Sequence, residues 1–243
     1  MPRRARGATG GVVYHVLNRV VPGVALFGQP DDYLAFERLL RQAQERQPIR
    51  LLAYCLMPTH WHMVLWPLSD GDLSSFMWWL TLTHVQRWHA FRRTSGMGPL
   101  YRGRYKSFPI QTDVHFLTVC RYVERNPLRA GLVRRAEDWL WSSLLRPKGG
   151  KREGSPTLSE WPVERLPHWA KWVNEPQTEK ELEALRLSVT RGRPFGDPAW
   201  VSTIARRLGL EGSLRRPGRP AKKNGDGSRF RQKPRFQSAR PVF

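Results

Sequence analysis

Cysteine is scarce in this chain of 243 residues. Only Cys55 and Cys120 occur, so a disulfide framework is excluded by count. Both lie in apolar surroundings and read as buried, reduced thiols, which points to a cytoplasmic protein. Long apolar runs are also missing. None approaches the roughly 20 residues needed to span a bilayer, and the basic start Met1-Pro2-Arg3-Arg4-Ala5-Arg6 is followed by glycine and threonine, not by the apolar stretch of a secretory signal. Acidic residues are few: 20 Asp and Glu stand against 41 Lys and Arg, a net charge of +21. That excess implies a polyanionic partner, nucleic acid before a membrane surface. No internal repeat is present.

Aromatics are abundant, with 11 Trp and 6 Tyr. Most suit a core, and some suit stacking on unpaired bases. The β-branched and aromatic segment 11–20 predicts a strand. Asp31 or Asp32 can cap a helix to about Arg46 that buries Tyr33, Phe36, Leu39, Leu40 and Ala43. Segments 49–57 and 61–67 are apolar strands parted by Pro58-Thr59. A long helix follows from about Ser74 to Arg93, with Trp78, Leu82, Val85 and Trp88 at helical spacing. Residues 101–110 predict another strand. Thr112 or Asp113 caps a helix through about Arg125, which Pro127 terminates. The order β-α-β-β-α-β-α predicts an α+β fold, with two helices on one face of a small, mostly antiparallel sheet.

The composition divides the chain further. Residues 1–145 predict the main domain. Residues 146–177, rich in Pro, Gly, Lys and Ser at their start, predict a linker. Residues 178–212 predict a small helical extension, and 213–243 a basic disordered tail. Residues 191–243 carry 14 Lys and Arg against 3 Asp and Glu, so half the charge excess lies in about a fifth of the chain.

The triplet His60-Trp61-His62 lies within the apolar strands. Alternation sends both imidazoles to one face and Trp61 to the other. Two polar rings on a buried strand need partners. Tyr122 and Asn126 are i and i+4 on a helix and share a face, approximately so because Pro127 follows. Two imidazoles and one amide oxygen leave positions open for water and phosphate oxygens. Such a set suits Mg2+ or Mn2+ better than a closed zinc site. A tyrosine beside that metal is a credible nucleophile, since the metal polarises a phosphate and neutralises developing charge. Attack by its oxygen would leave a phosphotyrosine link that keeps the energy of the phosphodiester. Of the other tyrosines, Tyr54 is distant across Pro58, Tyr101 and Tyr105 suit packing or stacking, and Tyr14 and Tyr33 lack polar company. His15, His84, His89 and His115 read as core or surface histidines.

Basic positions complete the candidate site. Arg102, Arg104 and Lys106 alternate, and on a strand would form a phosphate track. Arg121 and Arg125 flank the Tyr122–Asn126 face. Arg193 and Arg219 lie in short Arg-Pro stretches of the kind that enter A·T-rich minor grooves or contact phosphates.

Three blocks together, Met57-Pro58-Thr59-His60-Trp61-His62, Gly98 to Phe108, and Cys120 to Val133, resemble the REP-associated tyrosine transposases of the HUH single-tyrosine superfamily, over roughly residues 10 to 145. The resemblance implies a ferredoxin-like HUH fold and cleavage of single-stranded DNA beside a hairpin, with Mg2+ or Mn2+. By position it implies His60, His62 and Asn126 as metal ligands and Tyr122 as the nucleophile forming a 5′-phosphotyrosine. Relatives outside this branch use Gln where Asn126 stands. The expected partner is single-stranded or hairpin DNA, and the expected state is a monomer or homodimer. Two other readings remain open from the residues: a DNA-binding module without chemistry, and metal-assisted hydrolysis by water.

Overall fold

The two apolar runs around Pro58-Thr59 form a hairpin from which the sheet grows. In the computed structural model, which describes residues 8–145 and 154–215, strand β2 (Arg50–Met57) turns into β3 (His60–Trp66), with Met57 opposite His60. Strand β1 (Val13–Arg19) pairs antiparallel with β3, and β4 (Lys106–Ile110) pairs antiparallel with β1, giving the order β2-β3-β1-β4. Since β1 and β2 each run against β3, the unit β1-helix-β2 is split by an inserted strand. This is the ferredoxin-like arrangement.

Helices α1 (Pro30–Arg46) and α2 (Asp72–Arg92) cover one face. There Phe36, Leu40, Phe76 and Leu80 pack on Tyr14, Val16, Tyr54, Trp61, Met63 and Leu65. Arg92 joins the two helices through an ion pair with Asp32 at 2.8 Å. The expected apolar stripe of α2 is corrected: Trp78 and Leu82 are exposed, and the helix buries Leu73, Phe76, Met77, Leu80 and His84. Apolar residues surround much of this helix, so spacing alone does not select its inner side.

The other face is covered as well. Helix α3 (Val114–Glu124) lays Phe116, Val119, Cys120 and Val123 on Val13, Val64, Phe108 and Ile110. Both cysteines are buried and free on this side. Pro127 does not stop the helical path outright. Arg125 stays helical at φ −80° and ψ −10°, and a further turn, α4 (Asn126–Arg129), carries Pro127 near its start, where its missing N–H is no loss.

The expected linker is also corrected. Of its residues, 154–177 are docked on the domain. The Ser159 N–H donates to the Leu51 carbonyl at 2.8 Å, the Trp161 indole donates to the Leu52 carbonyl at 2.7 Å, and α5 (Trp169–Asn174) buries Trp169 and Val173 against α3. Tryptophans in this stretch outweigh its loop-like composition. Next come α6 (Glu179–Arg191), α7 (Pro198–Leu208) and the short α8 (Glu211–Leu214). Gly192, at φ 68°, ends α6 in the left-handed conformation that glycine accepts most easily. Phe195 then hydrogen-bonds with Pro109 and Gln111 along the outer edge of β4. The expected tail beyond 215 lies outside the described residues.

Candidate active site

Strand register assembles the site. His62 lies opposite Leu17, His60 opposite Arg19, and His15 opposite Val64. Alternation therefore puts His15, His60 and His62 on the face that meets α3, while Trp61 goes to the other side. There the Trp61 indole donates to the Tyr101 hydroxyl at 3.0 Å, and that hydroxyl lies 2.7 Å from His84 Nδ1. Trp61 thus fixes the strand's rotation by occupying a polar-tipped core position.

His62 is buried and His60 is half-buried, their ring centroids 5.1 Å apart. The Tyr122 ring meets His62 edge-on at 5.8 Å and His15 at 6.2 Å. The helix thus delivers the tyrosine to the two histidines, although 60 residues of chain separate them. Asn126, one turn on, is buried. Its amide N–H donates to the Tyr122 carbonyl at 3.2 Å, and its Oδ1 accepts from Arg129 at 2.6 Å. The Arg129 guanidinium also lies over the Tyr122 ring, 4.3 Å from its centroid.

The electrostatics favour neutral imidazoles. Burial, with Arg19 and Arg129 nearby, pulls His60 down to about 4. Burial, followed by His15, His60, Arg129 and Arg19, holds His62 well below its ordinary value. Neutral rings keep lone pairs for a cation. His62 Nε2 is buried and has no hydrogen-bond partner among the described residues, a state that a metal ion would relieve. His60 Nδ1 sits 3.2 Å from Thr59 Oγ1, leaving its Nε2 for coordination. The donor set therefore fits a divalent ion. One lone pair of Asn126 Oδ1 is engaged by Arg129, and the other remains.

The basic candidates separate. Arg102, Arg104 and Lys106 are exposed, but the strand begins only at Lys106. Residues 102–104 form a bend, so the expected alternation on one strand face does not hold. The bend is pinned to the end of β1 where His60 pairs: the Arg102 N–H donates to the Arg19 carbonyl, and Asn18 Nδ2 donates to the Gly103 carbonyl. The cations whose charge reaches His60 and His62 are Arg19 and Arg129.

Arg121 and Arg125 are corrected as DNA contacts. Arg121 is buried, donates to the Glu175 and Pro176 carbonyls at 2.7 and 3.1 Å, and stacks on Trp172 at 4.4 Å. Arg125 donates to the Val173 and Asn174 carbonyls. Both guanidiniums hold the C-terminal end of α5, where carbonyls lack partners. Sequence spacing gives their helical positions but not the docked segment on the far side. Arg193 is half-buried beyond α6, and Arg219 lies outside the described residues.

Two members of the site escape the sequence reading. His15 is isolated in sequence and reaches Tyr122 only through strand register, whereas Arg129, three positions after Asn126, has a helical spacing that could have found it. A separate His/Asp group lies at the start of α3. Asp113 Oδ1 caps the helix and holds His115 Nδ1 at 2.8 Å, while the exposed Asp197 is 4.0 Å from His115 Nε2. It sits about two and a half helical turns from Tyr122 and serves as a cap that joins α3 to α7. Among the described residues, no helix is long and apolar enough to cross a membrane.

Comparison with known proteins agrees with this architecture. Residues 10–126 match the family model described as transposase IS200 like. A REP-associated tyrosine transposase of Escherichia coli (strain K12) is 21% identical over 115 residues, which is 47% of this chain and 66% of that relative's length. A solved structure of the REP-associated tyrosine transposase bound to a REP hairpin matches with a TM-score of 0.50 and 19% identity, over 60% of this chain and 84% of the other.

Proposed function

From the match of residues 10–126 to the IS200-like transposase family model, we propose that this protein is a metal-dependent transferase of single-stranded DNA. It cleaves beside hairpins through a 5′-phosphotyrosine intermediate. One observation carries the reading: a buried His62 Nε2 with no hydrogen-bond partner among the described residues, on the ring that meets Tyr122 edge-on at 5.8 Å.

His60, His62 and Asn126 would hold Mg2+ or Mn2+, which when bound polarises a phosphate and offsets its charge. Tyr122 supplies the attacking oxygen. Its Oη–P bond forms as the bond from phosphorus to the 3′-oxygen breaks. The 3′-oxygen leaves as a hydroxyl with the proton that the phenol gives up, and the 5′-phosphate stays on the enzyme. The reverse step rejoins strands without ATP. Arg129 holds the tyrosine ring and the Asn126 amide together, which limits the positions the phenol can take. Arg19, Arg102, Arg104 and Lys106 would draw the phosphate backbone to this end of the sheet, with Arg193 and Arg219 adding contacts.

The test uses the full chain, a labelled single strand carrying a hairpin, and Mn2+. A covalent adduct is expected in the native protein and not in Tyr122→Phe. An adduct of equal yield in that variant sinks the assignment. Free 5′-phosphate product with no protein-linked species would instead favour hydrolysis by water, and hairpin binding without either would favour a non-catalytic binder.

A further inference from the structure

His15 is a buried titratable residue that the mechanism above leaves unused. Its Nε2 lies 2.9 Å from His62 Nδ1. The rings lie side by side, with centroids 5.0 Å apart and planes 13° from parallel. Phe108, 4.9 Å away on β4, backs His15, and Tyr122 closes the other side. Both histidines are buried, and each has one nitrogen without a hydrogen-bond partner among the described residues: Nδ1 of His15 and Nε2 of His62.

This pairing allows two proton arrangements for neutral rings. In one, His62 Nδ1–H donates to His15 Nε2, leaving a lone pair on His62 Nε2 and an N–H on His15 Nδ1. In the other, His15 Nε2–H donates to His62 Nδ1, leaving an N–H on His62 Nε2. Each leaves one N–H and one lone pair unpaired, so packing alone does not choose between them. Only the first can bind a cation through His62 Nε2.

We propose that His15 is a positioning residue for the metal site: by accepting the His62 Nδ1 proton it fixes the tautomer and ring orientation in which His62 Nε2 faces the cation. The proposal rests on the reading of His60 and His62 as ligands. Hydrogen bonding of a ligating imidazole's second nitrogen is a general means of orienting it. Here the acceptor is another neutral imidazole instead of a carboxylate, which leaves His62 a neutral donor. Phe108 and Tyr122 pack against the pair, Phe108 on His15 and Tyr122 on both rings.

The experiment measures Mn2+ affinity of the full chain by electron paramagnetic resonance, in the native protein, His15→Gln and His15→Leu. Glutamine retains an acceptor near the Nε2 position, and leucine does not. Leucine should weaken Mn2+ binding about 10–100-fold, and glutamine should restore most of it. In parallel, 15N spectra of histidine-labelled native protein with Mg2+ should show the His62 proton on Nδ1. Equal Mn2+ affinity in all three proteins overturns the proposal while sparing the ligand reading. Failure of the native protein to bind Mn2+ overturns both. If His15→Leu does not fold, judged by circular dichroism, the 15N tautomer decides: a proton on His62 Nε2 with Mg2+ present overturns the assignment.

Discussion

Arg129 lies over the face of Tyr122 with its guanidinium carbon 4.3 Å from the ring centroid, while the same side chain donates to Asn126 Oδ1 at 2.6 Å. One cation thereby ties the proposed nucleophile to a proposed metal ligand. Arg129→Ala should slow adduct formation at least about tenfold with hairpin binding little changed. Arg129→Lys should recover only part of the rate, because an ammonium keeps the charge and loses the planar fork. Single-turnover kinetics with labelled DNA would check both. Equal rates in all three proteins would remove Arg129 from the site.

Removal of the metal gives a separate expectation. Chelation, or His62→Ala, should abolish the adduct and leave binding to hairpin DNA within about threefold, since the proposed phosphate contacts come from the exposed arginines and Lys106. Gel shifts with and without chelator, beside adduct assays, separate the two steps. Loss of binding on chelation would mean that the cation holds the DNA instead of activating it.

Acid should destabilise the fold. Burial lowers His15 and His84 to about 3, and burial lowers His62 strongly and His60 to about 4. In the unfolded chain these groups take protons near pH 6.5. Their folded pKa values are depressed, so stability is full above about 6.5 and falls as pH drops from there toward 4. Each fully titrating group contributes a slope of about 1.4 kcal/mol per pH unit. Glu124, raised by burial, acts in the opposite sense as one group against four. Urea midpoints measured between pH 7.5 and 5 should fall with acidity. A flat profile would mean that these histidines are hydrated in solution.

Glu124 should be among the most sensitive positions for stability. It is fully buried, accepts from Ser143 Oγ and the Trp169 indole, each at 2.6 Å, and lies 3.8 Å from Arg165. Glu124→Ala leaves those donors unpaired and should cost about 3–5 kcal/mol. Arg121→Ala should cost less, about 1.5–3 kcal/mol, through its lost bonds to the end of α5. Thermal melts would measure both. Limited proteolysis should show earlier cutting near residues 154–177 in each variant. Cutting at the native rate would mean that the docked segment is held without them.

Local patterns reveal much of the fold. The hairpin and the Tyr122–Asn126 face follow from residue type and spacing over a few positions, whereas the expected cap of α1 is corrected: the N-cap is Gln29, and Asp32, three positions on, accepts from its backbone N–H. The strand alternation that puts His60 and His62 together is equally local. Three features are not. His15 reaches His62 only through the β1–β3 register. Arg121 and Arg125 look like surface cations until α5 covers them. Residues 154–177 read as a linker because their prolines and polar residues dominate a short window, while Trp161 and Trp169 are anchored by partners more than 40 positions away. Pairwise contacts between distant segments leave no periodic trace.

The docking of Trp161, Trp169 and Trp172 behind α3 has a consequence for modularity. The stretch that matches the transposase family ends at residue 126, yet the back of the tyrosine helix is completed by side chains from positions 161–176. Transplanting residues 10–126 alone into another protein would carry the proposed reacting groups and leave behind the wall they lean on. Glu124 would lose its indole donor, and two arginines would face empty space. The inheritable unit here is longer than its chemistry: a graft that works should extend at least through α5.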